Sequence, residues 1–447
     1  MKLSNYIYIL DFDENTSIIF NGVTMQFVTI PRSKRDVYVQ SLKNMASQNN
    51  VSSPQYAFFL KKMRAGGFLL EDSVDEKEIV RAEEEKYINS NRFQTIIIPT
   101  YNCNYSCWYC TQKHHETELT ALDVKRIKRH ICLYLTNRNI KSYTLCWFGG
   151  EPLMQKKEVL NISSFLYQWC MRHGIDFEGQ MTSNGALLDK DTIVSLKFCH
   201  INHFQITLDG GRESHNKVKR DNGNKSSFDL ILTNIKQLLE FNESASVTLR
   251  FNYSKKKLQE LHLVKEVCQA IPQELRGRIR VDLERIWQTQ GVEDIQNTEL
   301  RPLLEQFAKN GFRLSYGGSF VPCYAEKEHF ETIYYNGKVD FCDNYSEEQA
   351  RGVIDENGET EWKTFPTFKQ ERNKQNSICQ DCHYYPVCTA ECPSKRDTRL
   401  SAGIPFKCPN GQLERIEYSI LDYCSRCMLN SKSLIPQHYN LTLFISS

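Results

Sequence analysis

Thr95-Ile-Ile-Ile-Pro99-Thr-Tyr-Asn-Cys103-Asn-Tyr-Ser-Cys107-Trp-Tyr-Cys110 is the stretch on which the reading of this chain turns. A β-branched apolar run predicts a buried strand over Thr95 to Pro99, and the loop that leaves it carries three cysteines at C-x3-C-x2-C spacing. Thiolates held this close in a chain without a disulfide pattern usually ligate metal. Three of them can hold three irons of a cubic iron–sulfur cluster and leave the fourth iron without a protein ligand. A structural zinc knuckle would use the same residues, and the loop alone does not separate the two.

Working outward, the next strand reads Tyr143 to Phe148 and runs into Trp147-Phe148-Gly149-Gly150-Glu151-Pro152. Glycines at the C-terminal end of a strand let backbone approach a ligand, and a carboxylate there accepts an ammonium group. Further strands are predicted at Phe177 to Ser183, Phe204 to Leu208, Val247 to Asn252 and Ile279 to Ile286. Amphipathic helices are predicted between them at Asp123 to Leu135, Leu160 to Arg172, Phe228 to Phe241 and Leu258 to Ile271. Such alternation implies parallel strands covered by helices.

The cysteine loop, the Gly149-Gly150-Glu151-Pro152 segment and the six strands together resemble the radical S-adenosylmethionine (SAM) superfamily. The resemblance implies an α/β fold, a partial (β/α)6 TIM-like barrel. It also implies a 4Fe–4S cluster on Cys103, Cys107 and Cys110 whose open iron chelates the methionine end of SAM. Reductive cleavage would then give a 5′-deoxyadenosyl radical that abstracts hydrogen. By the same likeness Tyr109 lies near the adenine, and Gly149, Gly150 and Glu151 contact the cosubstrate. Thr182-Ser183-Asn184-Gly185 is similar to the family's TNG-type segment, which brings in Ser183 and Asn184. Thr207-Leu208-Asp209-Gly210, followed by His215, Arg220 and Ser227-Phe228, is similar to a stretch of peptide-modifying members. That likeness puts Thr207 at the ribose and Arg220 at the cosubstrate carboxylate; a surface arginine in a basic run is the alternative for Arg220.

A second cysteine pattern, Cys379-x2-Cys382-x5-Cys388-x3-Cys392, stands near the C-terminus, with Cys323 and Gly337-x4-Cys342 before it and Cys408 after. It resembles the SPASM extension, which carries two auxiliary clusters in maturases of peptides, quinone cofactor precursors and sulfatases. The resemblance implies an outer 4Fe–4S cluster on Cys379, Cys382, Cys388 and Cys408, and an inner one on Cys323, Cys342 and Cys392. Counted with the SAM-binding cluster, three are expected. No cysteine lies between Cys323 and Cys342, so the inner cluster is expected to keep an open site or take a remote ligand, Cys424 or Cys427. Cys132, Cys146, Cys170, Cys199 and Cys268 fall in apolar patterns and read as small core residues. Val339-Asp-Phe-Cys342-Asp343 is similar to the segment of anaerobic sulfatase-maturating enzymes, where the aspartate after the cysteine accepts a proton. Asp343 is the catalytic candidate on that ground.

The expected domains are 1–92, 93–312 and 313–447. In the first, strands at Tyr6 to Leu10, Thr16 to Phe20 and Thr24 to Ile30 surround an Asn21-Gly22 turn, and helices follow at Val37 to Met45 and Tyr56 to Met63. A charged connector helix then spans Asp72 to Arg92. The first module looks like a winged-helix-like peptide-recognition element, which would take a leader peptide as an added strand. A cap on the barrel is the alternative.

The 56 basic and 54 acidic residues of the 447 give a formal charge of +2, which supplies no electrostatic reason for a nucleic-acid or membrane partner. With 17 cysteines, an odd number, and only Tyr6 to Leu10 as an N-terminal apolar run, a cytoplasmic location is expected. The expected partners are a precursor peptide with a leader and a low-potential electron donor such as flavodoxin or ferredoxin. The expected reaction is oxidative modification of that peptide, by a thioether or carbon–carbon crosslink or a related oxidation. The alternative is formylglycine formation from Ser or Cys in a sulfatase.

Overall fold

A computed structural model describes residues 1–47, 54–219, 226–254, 257–286, 297–316, 320–366, 369, 379, 381–388, 391–409, 411–433 and 443–444. The chain divides into two compact units: 1–89 with 316–323 and 370–447, and 90–315 with 324–369.

In the first unit β1 (Lys2–Leu3) pairs antiparallel with β5 (Leu69–Leu70), while β2 (Ile7–Asp11), β3 (Thr16–Asn21) and β4 (Phe27–Pro31) form a meander. The strand expected from Thr24 begins instead at Phe27. The Asn21 carboxamide oxygen accepts from the amides of Val23 and Thr24, both at 2.9 Å, and prolongs the turn. Side chains alternate across the meander. Ile19, Val28 and Ile30 pack with Leu42, Leu60, Met63 and Phe68, so the helices Arg35–Ser47 and Pro54–Ala65 close one face. Tyr8, Ile18, Phe20 and Phe27 pack on Val387 and on Ile416, Ile420, Cys424 and Cys427 of the helix Gln412–Ser433. Cys424 and Cys427 thus serve as apolar core. Burial pushes the Cys427 thiol up to about 12 and Cys424 well above its usual value.

The second unit holds one sheet of eleven strands in the order β12-β11-β10-β9-β8-β7-β6-β13-β14-β15-β16. Its six barrel strands are β6 (Arg92–Ile98), β7 (Ser142–Trp147), β8 (Asp176–Ser183), β9 (Ile201–Leu208), β10 (Ser246–Tyr253) and β11 (Ile279–Arg285). They are parallel and adjacent in chain order, as the alternation predicts. Leu145, Ile206, Leu249 and Val281 are fully buried, while Gln180, Gln205, Thr248 and Arg250, on the alternate positions, line polar cavities. Burying each large apolar side chain contributes about 1.5–3 kcal/mol, so this face holds the strands together. Trp147, among the largest buried side chains, donates its indole N–H to Ser163 Oγ at 2.9 Å.

Beyond β12 (Arg313–Leu314), the chain returns as β13 (Phe330–Tyr334), parallel to β6 on its far side. Then β14 (Lys338–Asp340), β15 (Gly352–Ile354) and β16 (Thr360–Trp362) follow antiparallel. Residues 324–369, where no strand–helix alternation is legible, therefore extend the barrel sheet rather than leaving it. The described part of the first unit also includes a short strand β17 (Leu443–Phe444) beside β4.

Candidate functional site

The cysteine loop is rooted by side-chain bonds at both ends. Thr117 Oγ1 accepts the Tyr101 amide at 2.7 Å and lies 3.0 Å from Thr100 Oγ1, so residues 100 and 117 close the loop at its base. The other support comes from the end of β7. Gly150 and Glu151 donate their amides to the carbonyls of Thr100 (3.1 Å) and Asn102 (2.8 Å). A Cβ at Gly149, whose φ is 126°, would meet Thr100 O at 2.7 Å, and one at Gly150 would meet Tyr101 O at 2.6 Å. The close approach these glycines permit is thus to the root of the cysteine loop, in addition to the cavity they border.

Glu151 differs from expectation. It is fully buried and does not border the cavity. Its carboxylate accepts from the Asn184 amide (2.7 Å), the Leu153 amide (3.1 Å) and Ser183 Oγ (3.0 Å). Burial raises its pKa, against these three donors. Glu151 therefore clamps the end of β8 to that of β7 with its carboxylate turned to these donors. Through Asn184 the clamp reaches the loop, since Asn184 Nδ2 donates to Asn104 Oδ1 at 2.7 Å and lies 3.8 Å from Cys103 Sγ.

These supports surround one cavity of about 290 Å³ at the C-terminal ends of the strands. Cys103, Cys107, Cys110 and Tyr109 border it, with Gly149, Gly150, Ser183, Asn184 and Thr207. Burial pushes the Cys107 thiol up to about 11, against the opposing Lys219, and raises Cys103. Burial of this kind keeps a thiol protonated until a bound metal ion displaces the proton. Among the described residues no three His, Cys, Asp or Glu side chains already stand as a closed metal shell. The three thiols share a cavity, with donors fit for soft metal, and converge on it from a single loop.

Behind Tyr109 lies a buried charge cluster. The Tyr109 hydroxyl donates to Asp209 Oδ1 at 2.6 Å, and Lys219 Nζ lies 3.4 Å from Asp209 Oδ2. Burial works against the Asp209 carboxylate, but Lys219, helped by the tyrosine hydroxyl, outweighs it and lowers its pKa. His215 is pushed down to about 3 by burial and the neighbouring lysines, so it is neutral, and its Nδ1 accepts the Asp209 amide at 3.1 Å. Arg220 lies outside the described residues, whereas Lys219 borders the cavity and donates to Thr207 O at 2.6 Å. The signal for Lys219 was available in the sequence: it follows His215 by four positions, one helical turn.

This geometry matches a known pattern. The model for the radical SAM superfamily matches residues 97–253, which run from β6 through β10. The chain carries a radical SAM domain. For that domain the family implies SAM and a 4Fe–4S cluster. The chain is 26% identical over 166 residues to an Fe-coproporphyrin III synthase of Methanosarcina barkeri (strain Fusaro / DSM 804), covering 36% of this chain and 37% of the relative. It is 29% identical over 147 residues to a cysteine-type anaerobic sulfatase-maturating enzyme of Clostridium novyi (strain NT), covering 31% and 37%. The chain thus spans little more than a third of either relative. Among solved structures, native anSMEcpe with bound AdoMet and Cp18Cys peptide superposes with a TM-score of 0.53 at 14% identity, over 76% of this chain and 99% of that one. The fold is shared well beyond the matched segment.

The remaining cysteines fall as follows. Cys379, Cys382, Cys388 and Cys408 border one small apolar cavity of about 70 Å³ in the first unit, with Tyr384, Tyr385 and Phe406. Cys323 and Cys392 belong to the first unit and Cys342 to the second. Asp343 does not border the radical SAM cavity; it is half-buried, takes the Tyr324 hydroxyl, and has its pKa raised by desolvation. No helix among the described residues is long and apolar enough to cross a membrane.

Proposed function

We propose that this chain is a radical SAM oxidoreductase that modifies a precursor peptide. The observation that carries the reading is the convergence of Cys103, Cys107 and Cys110 on one cavity with Thr207, Ser183 and Lys219. When bound, cluster and cosubstrate supply a strongly reducing electron and a carbon radical that removes hydrogen from substrate. The chain's own residues hold and orient them. The three cysteines ligate iron, and Asn184 and the Tyr105 amide (3.5 Å) steady the Cys103 sulfur. Tyr109, fixed through Asp209, offers a ring wall for the adenine, and the Thr207 hydroxyl serves the ribose. Lys219 supplies a cation for the carboxylate.

Two features favour a peptide. Four cysteines around one apolar cavity suit an auxiliary cluster for electron relay. The N-terminal meander has both faces covered and β17 beside β4, which leaves the edge at β2, the end of the strand order, for recognition. Phe12 N bonds Thr16 O and Gly22 N bonds Tyr6 O, so the even positions of β2 face β3. Ile7, Ile9 and Asp11 therefore turn their amides outward, where a leader could add as a strand. Incubation of the reconstituted protein with the peptide encoded beside its gene, followed by product mass, tests the reading. A crosslinked peptide loses a pair of hydrogens and an untouched mass refutes it.

A second reading, formylglycine formation, is favoured by one observation: Asp343 is a half-buried carboxyl of raised pKa with a tyrosine donor, which suits a proton acceptor. Its product would exchange the cysteine sulfur for an aldehyde oxygen. The names of the two curated relatives point to unlike substrates, so the barrel segment they share does not choose between them.

A further inference from the structure

At the N-terminal ends of the same strands lies a second cavity, of about 610 Å³, that no step above uses. It backs onto the radical SAM cavity, since Thr182 and Gln205 border both. Its walls carry three arginines and two glutamates. Arg278 donates to the carbonyls of Asn242 (2.9 Å) and Glu243 (3.1 Å) and so has a structural task. Each glutamate already has a cation: Glu178 pairs with Arg92 at 2.7 Å and Glu243 with Lys197 at 2.6 Å. Arg280 and Arg313 are left. They are register partners on adjacent strands β11 and β12, both exposed, and among the described residues neither has a hydrogen-bond or ion-pair partner.

Two like charges side by side on neighbouring strands repel, and a fold gains nothing by placing them there without a counter-charge. Two guanidinium forks opening into one polar cavity, with Gln205, Ser246 and Thr248 as neutral donors, match a small anion with several oxygens. We propose that this cavity is a binding site for a small polyanion, bearing carboxylate or phosphoryl groups, held by Arg280 and Arg313. The inference does not depend on the peptide reading.

Calorimetric titration of the reconstituted protein with citrate and with inorganic phosphate, at constant ionic strength set with chloride, tests it. Saturable binding of either is expected, with affinity at least about tenfold weaker in the Arg280→Gln/Arg313→Gln variant. Citrate alone would mark a carboxylate ligand, and phosphate alone a phosphoryl one. Both side chains are exposed, so an unchanged melting temperature will show that the variant is folded. Absence of saturable binding to both anions, or equal binding by the folded variant, overturns the proposal.

Discussion

Lys219 shows what single residues contribute. Its Nζ is buried beside Asp209 and bonded to Thr207 O, so its removal strands a carboxylate in the interior. Lys219→Met is expected to destabilise the barrel by about 3–5 kcal/mol. Tyr109→Phe deletes only one hydroxyl bond to a charged group and should cost about 1.5–3 kcal/mol. Denaturant unfolding of the two variants checks the order, and equal losses would show that Lys219 and Asp209 are not coupled. At this scale the sequence was legible where a residue type has few alternatives. The three loop cysteines, singled out by thiol spacing, and Thr207, singled out by the family likeness, border one cavity. For Glu151, a carboxylate after a glycine pair reads the same in sequence whether it meets a ligand or, as in this structure, backbone amides. Asp209 was quoted only as part of a motif, since nothing in sequence shows that Tyr109 reaches it.

Among the elements, the turn from β7 carries the sharpest constraint. A methyl group at Gly150 cannot coexist with the Tyr101 and Asn102 carbonyls, so Gly150→Ala must displace the root of the cysteine loop. A shift of that kind is expected to lower 5′-deoxyadenosine formation by about 10²-fold, while iron held by the C-terminal cysteines is unchanged. Activity near wild type would show that the loop does not depend on this contact. The helix Ala121–Asn137 carries a pH-dependent tie to β13, where His130 Nε2 lies 2.7 Å from Glu331 Oε2 and Nδ1 lies 3.0 Å from Gly358 O. Burial alone would lower the histidine pKa, but Glu331 and the carbonyl outweigh it, so the folded value is raised. The sign follows: the stabilisation is complete below the unfolded value of about 6.5 and fades as pH rises through the folded one. His130→Gln should therefore lower the melting temperature more at acidic than at alkaline pH, and the opposite trend would contradict a charged pair. All six barrel strands were legible within a few residues because each buries one apolar row. The strands β13 to β16 were not, since they are short and their pairing depends on a return to β6 from far along the chain.

For the whole molecule, the decisive feature is that cysteines from separate stretches gather in separate cavities, three in the radical SAM domain and four in the first unit. The first group was legible as spacing; the second, with Cys408 rather than the nearer Cys392, was expected only from the resemblance to the SPASM extension. What was not legible is that residues 1–89 share a compact unit with 370–447, through Tyr8, Phe20 and Phe27 against Val387 and the helix Gln412–Ser433. Apolar side chains carry no address, so sequence alone cannot pair cores this far apart. This packing also decides how leader binding should be tested: deleting the N-terminal residues would strip a core, whereas Ile9→Pro removes one outward amide of β2 and keeps its bonds to β3. That variant should weaken binding of the adjacent-gene peptide by about tenfold, and unchanged affinity would exclude strand addition there.

The central claim is that Cys103, Cys107 and Cys110 hold the cluster that cleaves S-adenosylmethionine. Its most direct test is 5′-deoxyadenosine formation, with iron content, in the Cys103→Ala/Cys107→Ala/Cys110→Ala variant after anaerobic reconstitution and reduction. The account predicts that 5′-deoxyadenosine disappears while iron bound by the C-terminal cysteines remains; formation at the wild-type rate would contradict it.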